Sequence, residues 1–165
     1  MSQLHPDAAV VVTCAVLTVS DTRTFETDKS GQLMRSRLAE AQHPVSEYAL
    51  VKDEPDQVRE QILTWVAAPD IKAILVNGGT GIAVRDTTYE AISTLLTKTL
   101  PGFGELFRML SYEQIGSRAL ASRAIAGVCK STLIFSTPGS SKAVALAMDR
   151  LILPELIHLT TQVRS

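Results

Sequence analysis

Aromatic residues are scarce in this chain, 5% of 165 positions, and cysteine is scarcer still, with two. Cys14 and Cys129 lie in separate apolar segments without the spacing of a metal site, so buried free thiols are expected. No apolar run reaches the roughly 18–20 residues that span a membrane. Met1 to Ala9 has no basic region followed by an apolar one, so neither a signal peptide nor an anchor is expected. A soluble, cytoplasmic protein is the corresponding expectation. An excess of one charge is missing too: sixteen basic residues against seventeen acidic leave a net −1, which excludes the broad positive field of a nucleic-acid binder. Any polyanion must be held locally. His5, His43 and His158 form no cluster and receive no chemical role.

What the chain does have is aliphatic residues and clustered glycine. Hydrophobic residues make up 45%, and nine glycines gather in a few segments, the profile of one compact core with functional loops. A length of 165 suits one domain. The expected division is a flexible segment at residues 1–9 and a domain over 10–165. Val10 to Val19 is β-branched and nearly continuous, which predicts a strand covered on both faces. From Ser30, Leu33 or Met34, Leu38 and Ala41 recur at helical spacing, and His43-Pro44 stops the helix. Val45 to Val51 reads as a second strand, and Pro55 opens a helix with Val58, Ile62, Leu63 and Val66 on its apolar face. Ala73 to Val76 is a short buried strand, and a helix restarts near Thr87, where Thr87 and Glu90 have capping-box spacing. Leu106 to Ile115 predicts a helix, Ser117 to Ala126 a second short one, and Thr132 to Ser136 a last strand. A long helix then runs from Lys142 to Val163, bent at Pro154. Strands alternating with helices imply an α/β domain with a mainly parallel sheet and helices on both faces. Ligands bind such sheets beyond the carboxyl ends of the strands, here at Ser20, Lys52, Asn77 and Thr137.

The polar and glycine residues collect at those ends. Gly78-Gly79-Thr80-Gly81 follows a strand and precedes a helix, so its backbone N–H groups can face an anion, although it matches neither G-x-G-x-x-G nor the P-loop. A plain tight turn is the competing reading. With the helix start assigned to Thr87 and Glu90, the Asp86 carboxylate is left as a candidate metal ligand or base. Asp53 ends another strand, and the two carboxylates together would hold magnesium on nucleotide phosphates, unless Asp53 is merely a helix cap. Pro101 to Glu105 and Pro138 to Lys142 read as two further bendable loops, the second with Ser140 and Ser141 hydroxyls and the Lys142 cation. Arg108, Arg118 and Arg123 either face an acidic substrate or are ordinary surface arginines.

Four blocks taken in order resemble the MogA/MoaB family of molybdenum-cofactor biosynthesis proteins, with the MoaB branch the nearer. They are Leu17 to Thr22 with Asp28 to Gly31; Asp53-Glu54-Pro55; Asn77 to Gly81 through Arg85 to Ala91; and Leu100 to Glu105 with Gly116-Ser117-Arg118 and Pro138-Gly139-Ser140. The resemblance implies a three-layer α/β/α molybdopterin-binding fold assembled as a trimer or hexamer. It implies Mg2+-dependent transfer of adenylate from ATP to molybdopterin, releasing pyrophosphate, and a downstream molybdenum-insertion protein as partner. By motif, Asp53 and Asp86 become the catalytic and magnesium-binding pair, and Gly78, Gly79, Thr80 and Gly81 the phosphate-facing loop. Ser20, Asp21, Ser30, Gly102, Ser140 and Ser141 fall around pterin and nucleotide. A non-catalytic molybdopterin-binding scaffold is the alternative under the same resemblance. Apolar residues between Phe103 and Ala126 exceed what a small monomer leaves exposed, which fits burial between subunits.

Overall fold

The computed structural model describes residues 10–165, so the expectation for residues 1–9 lies outside the described residues. Six strands form one sheet in the order β2-β1-β3-β6-β5-β4. They are β1 (Cys14–Val19), β2 (Val45–Val51), β3 (Ala73–Asn77), β4 (Lys98–Thr99), β5 (Ile125–Cys129) and β6 (Thr132–Thr137). β2, β1, β3 and β6 run parallel, while β5 is antiparallel to both β6 and β4. The helices are α1 (Lys29–Glu40), α2 (Pro55–Val66), α3 (Thr88–Ser93), α4 (Pro101–Ile115), α5 (Ser141–Ala147) and α6 (Leu153–Val163).

Alternation along the strands divides the core into two layers. Val16, Leu75, Leu133 and Phe135 pack under α1, α4, α5 and α6 through Met34, Leu38, Phe107, Val144 and Leu156. Leu17, Ile74, Val76 and Ile134 pack under α2 and α3 through Val58, Ile62, Trp65 and Ile92. The fold is therefore the expected three-layer α/β/α arrangement. Both cysteines are buried free thiols, as expected, and burial pushes the Cys14 thiol up to about 12. Among the described residues, no helix is long and apolar enough to cross a membrane.

Several boundaries differ from the sequence expectation. β1 begins at Cys14, not Val10, because its neighbour β2 offers partners only from Val45 onward, and Val10 and Val11 stay about half exposed. On α2, Trp65 takes the buried place expected of Leu63, completing the i, i+4, i+7 face of Val58 and Ile62. Pro101 is the first residue of α4, a position that tolerates its missing N–H, so the expected loop from Pro101 to Glu105 is helical. Gly116, at φ +66°, ends α4, and the expected second helix resolves into a 3-10 turn (Gly116–Ala121) followed by β5. The expected long helix is divided: Pro154 falls in the first turn of α6, and one π-helical turn (Met148–Ile152) joins α5 to α6. Val144, Met148, Ile152 and Leu156 all remain fully buried across it.

His43 sits buried after α1, where its Nδ1 accepts the Val12 N–H at 3.0 Å, an arrangement open only to the neutral ring. Burial lowers its pKa from the usual imidazole value. The folded chain thus takes up this proton less readily than the unfolded one. Stability from this group is full above about pH 6.5 and is lost as the pH falls below that value. A pH series of thermal midpoints should show less decline between pH 7 and 5 in His43→Asn, which keeps an acceptor without titrating.

Candidate active site

Because four strands run parallel, Lys52, Ser20, Gly78 and Pro138 leave the sheet along one rim. At its centre Gly78 and Gly79 take φ +102° and +69°, a left-handed path that glycine alone follows without strain. The Gly78 N–H donates to the Thr137 carbonyl at 3.0 Å, and the Thr88 N–H donates to the Gly79 carbonyl at 3.1 Å. The turn is thus tied to β6 on one side and to α3 on the other.

Asp53 and Asp86 both reach this turn. A Cβ on Gly79 would stand 2.9 Å from Asp53 Oδ2, and one on Gly81 would stand 2.7 Å from Asp86 Oδ2. Asp53 is buried, and its Oδ1 accepts from the Thr87 N–H at 3.2 Å and the Thr87 hydroxyl at 3.0 Å. The capping box expected between Thr87 and Glu90 therefore does not form: Asp53 caps α3 from across the rim, and Glu90 pairs with Arg123. Asp86 has a local task as well, since its Oδ2 accepts the Ala83 N–H at 3.0 Å. Burial, and after it the negative charges of Asp86 and Asp21, raise the Asp53 pKa, with the Thr87 donors pulling the other way. Asp21 moves oppositely, held below the usual carboxylate value by Arg85 and by the Asp53 N–H.

The remaining expected residues divide into those near the turn and those away from it. Ser20 Oγ shapes its own loop by accepting from the Arg23 N–H at 3.1 Å. Ser30 donates to the Gly139 carbonyl at 2.6 Å and lies 3.5 Å from Ser141 Oγ. Ser140 caps α5 through the Ala143 N–H at 3.2 Å. A cavity of about 300 Å³ opens beside the turn, walled by Thr80, Gly81, Asp86, Ser111, Arg118 and Ser140 among others. Gly102 lies in the first turn of α4, with nothing within 4 Å of where its Cβ would point.

Sequence reasoning missed Arg85, and it left Arg118 and Arg123 undecided. Arg118 lies on the cavity wall. Arg123 donates to the carbonyls of Gly81 and Asp86 at 2.9 and 2.8 Å, clamping the loop from the side of β5. No local pattern announces that role, because the acceptors are backbone atoms far along the chain. Arg85 had a weak signal, its place directly before Asp86.

Among the described residues no group of three or more His, Cys, Asp or Glu side chains is arranged to hold a metal alone. Asp53 and Asp86 each use a single oxygen in the hydrogen bonds above, and Thr88 Oγ1, beside Gly79, is buried without a partner. One or two carboxylates sharing an ion with substrate phosphates and water is the usual magnesium arrangement.

Comparison with known proteins gives the family. Residues 15–158 match the family model described as "Probable molybdopterin binding domain". The chain is 57% identical over 159 residues to molybdenum cofactor biosynthesis protein B of Bacillus subtilis, covering 96% of this chain and 94% of that one. A crystal structure of a molybdenum cofactor biosynthesis protein B superposes with a TM-score of 0.93 at 52% identity, over 95% of this chain and 98% of the other. The tungsten cofactor synthesizing protein MoaB from Pyrococcus furiosus superposes at 0.86 with 32% identity, over 96% and 100%. With its motifs, its sheet order and its relatives in agreement from end to end, the chain belongs to the MoaB/MogA family of molybdenum-cofactor biosynthesis proteins.

Proposed function

We propose that this protein transfers adenylate from Mg2+-bound ATP to the terminal phosphate of molybdopterin. The carrying observation is the convergence of Asp53 and Asp86 on the Gly78–Gly81 turn at the mouth of a cavity lined by Arg118. A molybdopterin phosphate oxygen attacks the α-phosphorus of ATP, the bond to the β-phosphate oxygen breaks, and pyrophosphate leaves with adenylyl-molybdopterin as the other product. Such phosphoryl chemistry needs positioning and charge neutralisation more than covalent help. The glycine turn offers backbone N–H groups to a phosphate, Arg118 offers a cation to an anionic ligand in the cavity, and Ser140 stands on the cavity wall. Asp53 and Asp86 would hold the magnesium, which when bound supplies charge neutralisation on the phosphates.

The protein works, on this reading, in the cytoplasm as a homo-oligomer, trimeric or hexameric, and passes its product to a molybdenum-insertion protein. Leu106, Met109, Tyr112, Ile115 and Leu120 all stand exposed along α4 and the turn after it, an apolar surface that subunit contact would cover. A scaffold that binds molybdopterin without turnover is the second reading, favoured by the structural tasks that Asp53 and Asp86 perform. Pyrophosphate assays separate the two: release should require molybdopterin, ATP and magnesium together. Binding of molybdopterin without any ATP-dependent product would select the scaffold.

A further inference from the structure

Asp86 lies between two residues that are each pinned to another loop. On one side, Arg85 Nε and Nη2 donate to the two carboxylate oxygens of Asp21 at 3.0 and 2.8 Å, and its Nη1 donates to Glu54 at 2.8 Å. On the other, Thr87 donates through its N–H and its hydroxyl to Asp53. Asp21 closes the circuit, since its Oδ1 also accepts the Asp53 N–H at 3.1 Å. The result is a ring, Arg85 to Asp21 to Asp53 to Thr87, completed by the backbone through Asp86. It ties the loops after β1, β2 and β3 together.

We propose that Arg85 is a positioning residue that fixes the placement of Asp86 relative to Asp53 through this ring. The role rests on the reading of those two carboxylates given above. Arginine suits it because a planar fork can grip Asp21 with two donors and still reach Glu54, which a single ammonium cannot do. The charge is also useful there. Asp21, Asp53, Glu54 and Asp86 crowd one rim, and Arg85 is the cation that the structure sets against Asp21 and Glu54.

The expected signature separates position from stability. Arg85 is more than half exposed, and exposed ion pairs contribute little to folding, so Arg85→Ala should move the thermal midpoint by no more than about 3 °C. Its kcat for pyrophosphate release should nevertheless fall at least about tenfold, with KM for ATP within about threefold, the mark of an interaction felt in the transition state. Arg85→Lys should recover part of the loss. Amide exchange followed by NMR without any substrate reads the ring itself. The Ala83 and Thr87 N–H groups, which report on the Asp86 and Asp53 carboxylates, should exchange at least about tenfold faster in Arg85→Ala, while Leu75 and Val76 do not change. Unchanged exchange at Ala83 and Thr87 overturns the proposal, and so does faster exchange with unaltered kcat. If the wild-type chain releases no pyrophosphate, the adenylyl-transfer reading fails by itself, and the exchange rates still decide whether Arg85 holds the two carboxylates in place.

Discussion

Gly78→Ala should cost the fold about 3 kcal/mol or more, seen as a fall of roughly 6–12 °C in thermal midpoint. Two effects add. At φ +102° an alanine is strained wherever it has room, by on the order of 1–3 kcal/mol. Here it has no room, because its Cβ would strike the Val19 carbonyl oxygen, which is main chain at the end of β1. Val19 cannot yield easily: it is paired to Val51 of β2, while the Gly78 N–H is tied to Thr137 of β6 and Gly139 packs against Gly78 Cα. A methyl there wedges β1 from β3 at the rim. Gly102→Ala is the matched control. Its Cβ meets nothing within 4 Å in the first turn of α4, so denaturant unfolding should show no loss and a gain of up to about 1 kcal/mol. If Gly78→Ala lost less than about 1 kcal/mol, the close approach of Gly78 to the Val19 carbonyl would be wrong.

The same contrast shows what the sequence could and could not disclose. The four parallel strands were legible because β-branched runs such as Val16 to Val19 and Ala73 to Val76 announce themselves locally. Their shared direction then puts Ser20, Lys52, Gly78 and Pro138 on one rim without further information. β5 was illegible for a physical reason. Ile-Ala-Gly-Val-Cys has no strong preference of its own, and it becomes a strand by pairing with β6 across a hairpin whose left-handed residue is Lys130 in place of glycine or asparagine. The pattern at Thr87 and Glu90 is instructive in the other direction. Its spacing was right for a capping box, but both side chains found stronger partners from distant segments, Asp53 for Thr87 and Arg123 for Glu90. Local pattern sets which groups compete, and the tertiary fold decides which pairs win. Gly102, grouped with the site by resemblance, lies in the first turn of α4 with open space beside it.

Asp53→Asn should lower pyrophosphate release by about a hundredfold or more, the scale expected when one preorganised electrostatic group is removed, while leaving the fold as stable as before or more so. Asparagine caps a helix about as well as aspartate, so its side-chain oxygen can still accept from Thr87 N–H and hydroxyl. What disappears is a charge that the fold does not favour. Burial and the neighbouring Asp86 and Asp21 raise the Asp53 pKa, so the folded chain binds this proton more tightly than the unfolded chain does. Ionisation at neutral pH therefore opposes folding, and that penalty vanishes below the unfolded carboxyl value of about 3.9. The stability advantage of Asp53→Asn should accordingly be largest near pH 7 and shrink toward pH 4, which paired thermal melts would measure. A cap needs no charge here, and asparagine would serve α3 at less cost. A magnesium shared with phosphate would give the second carboxylate oxygen a cationic partner that asparagine could not hold as well. Turnover within tenfold of wild type in Asp53→Asn, alongside an unchanged Mg2+ requirement, would leave Asp53 a structural cap and pass the chemistry to Asp86 alone.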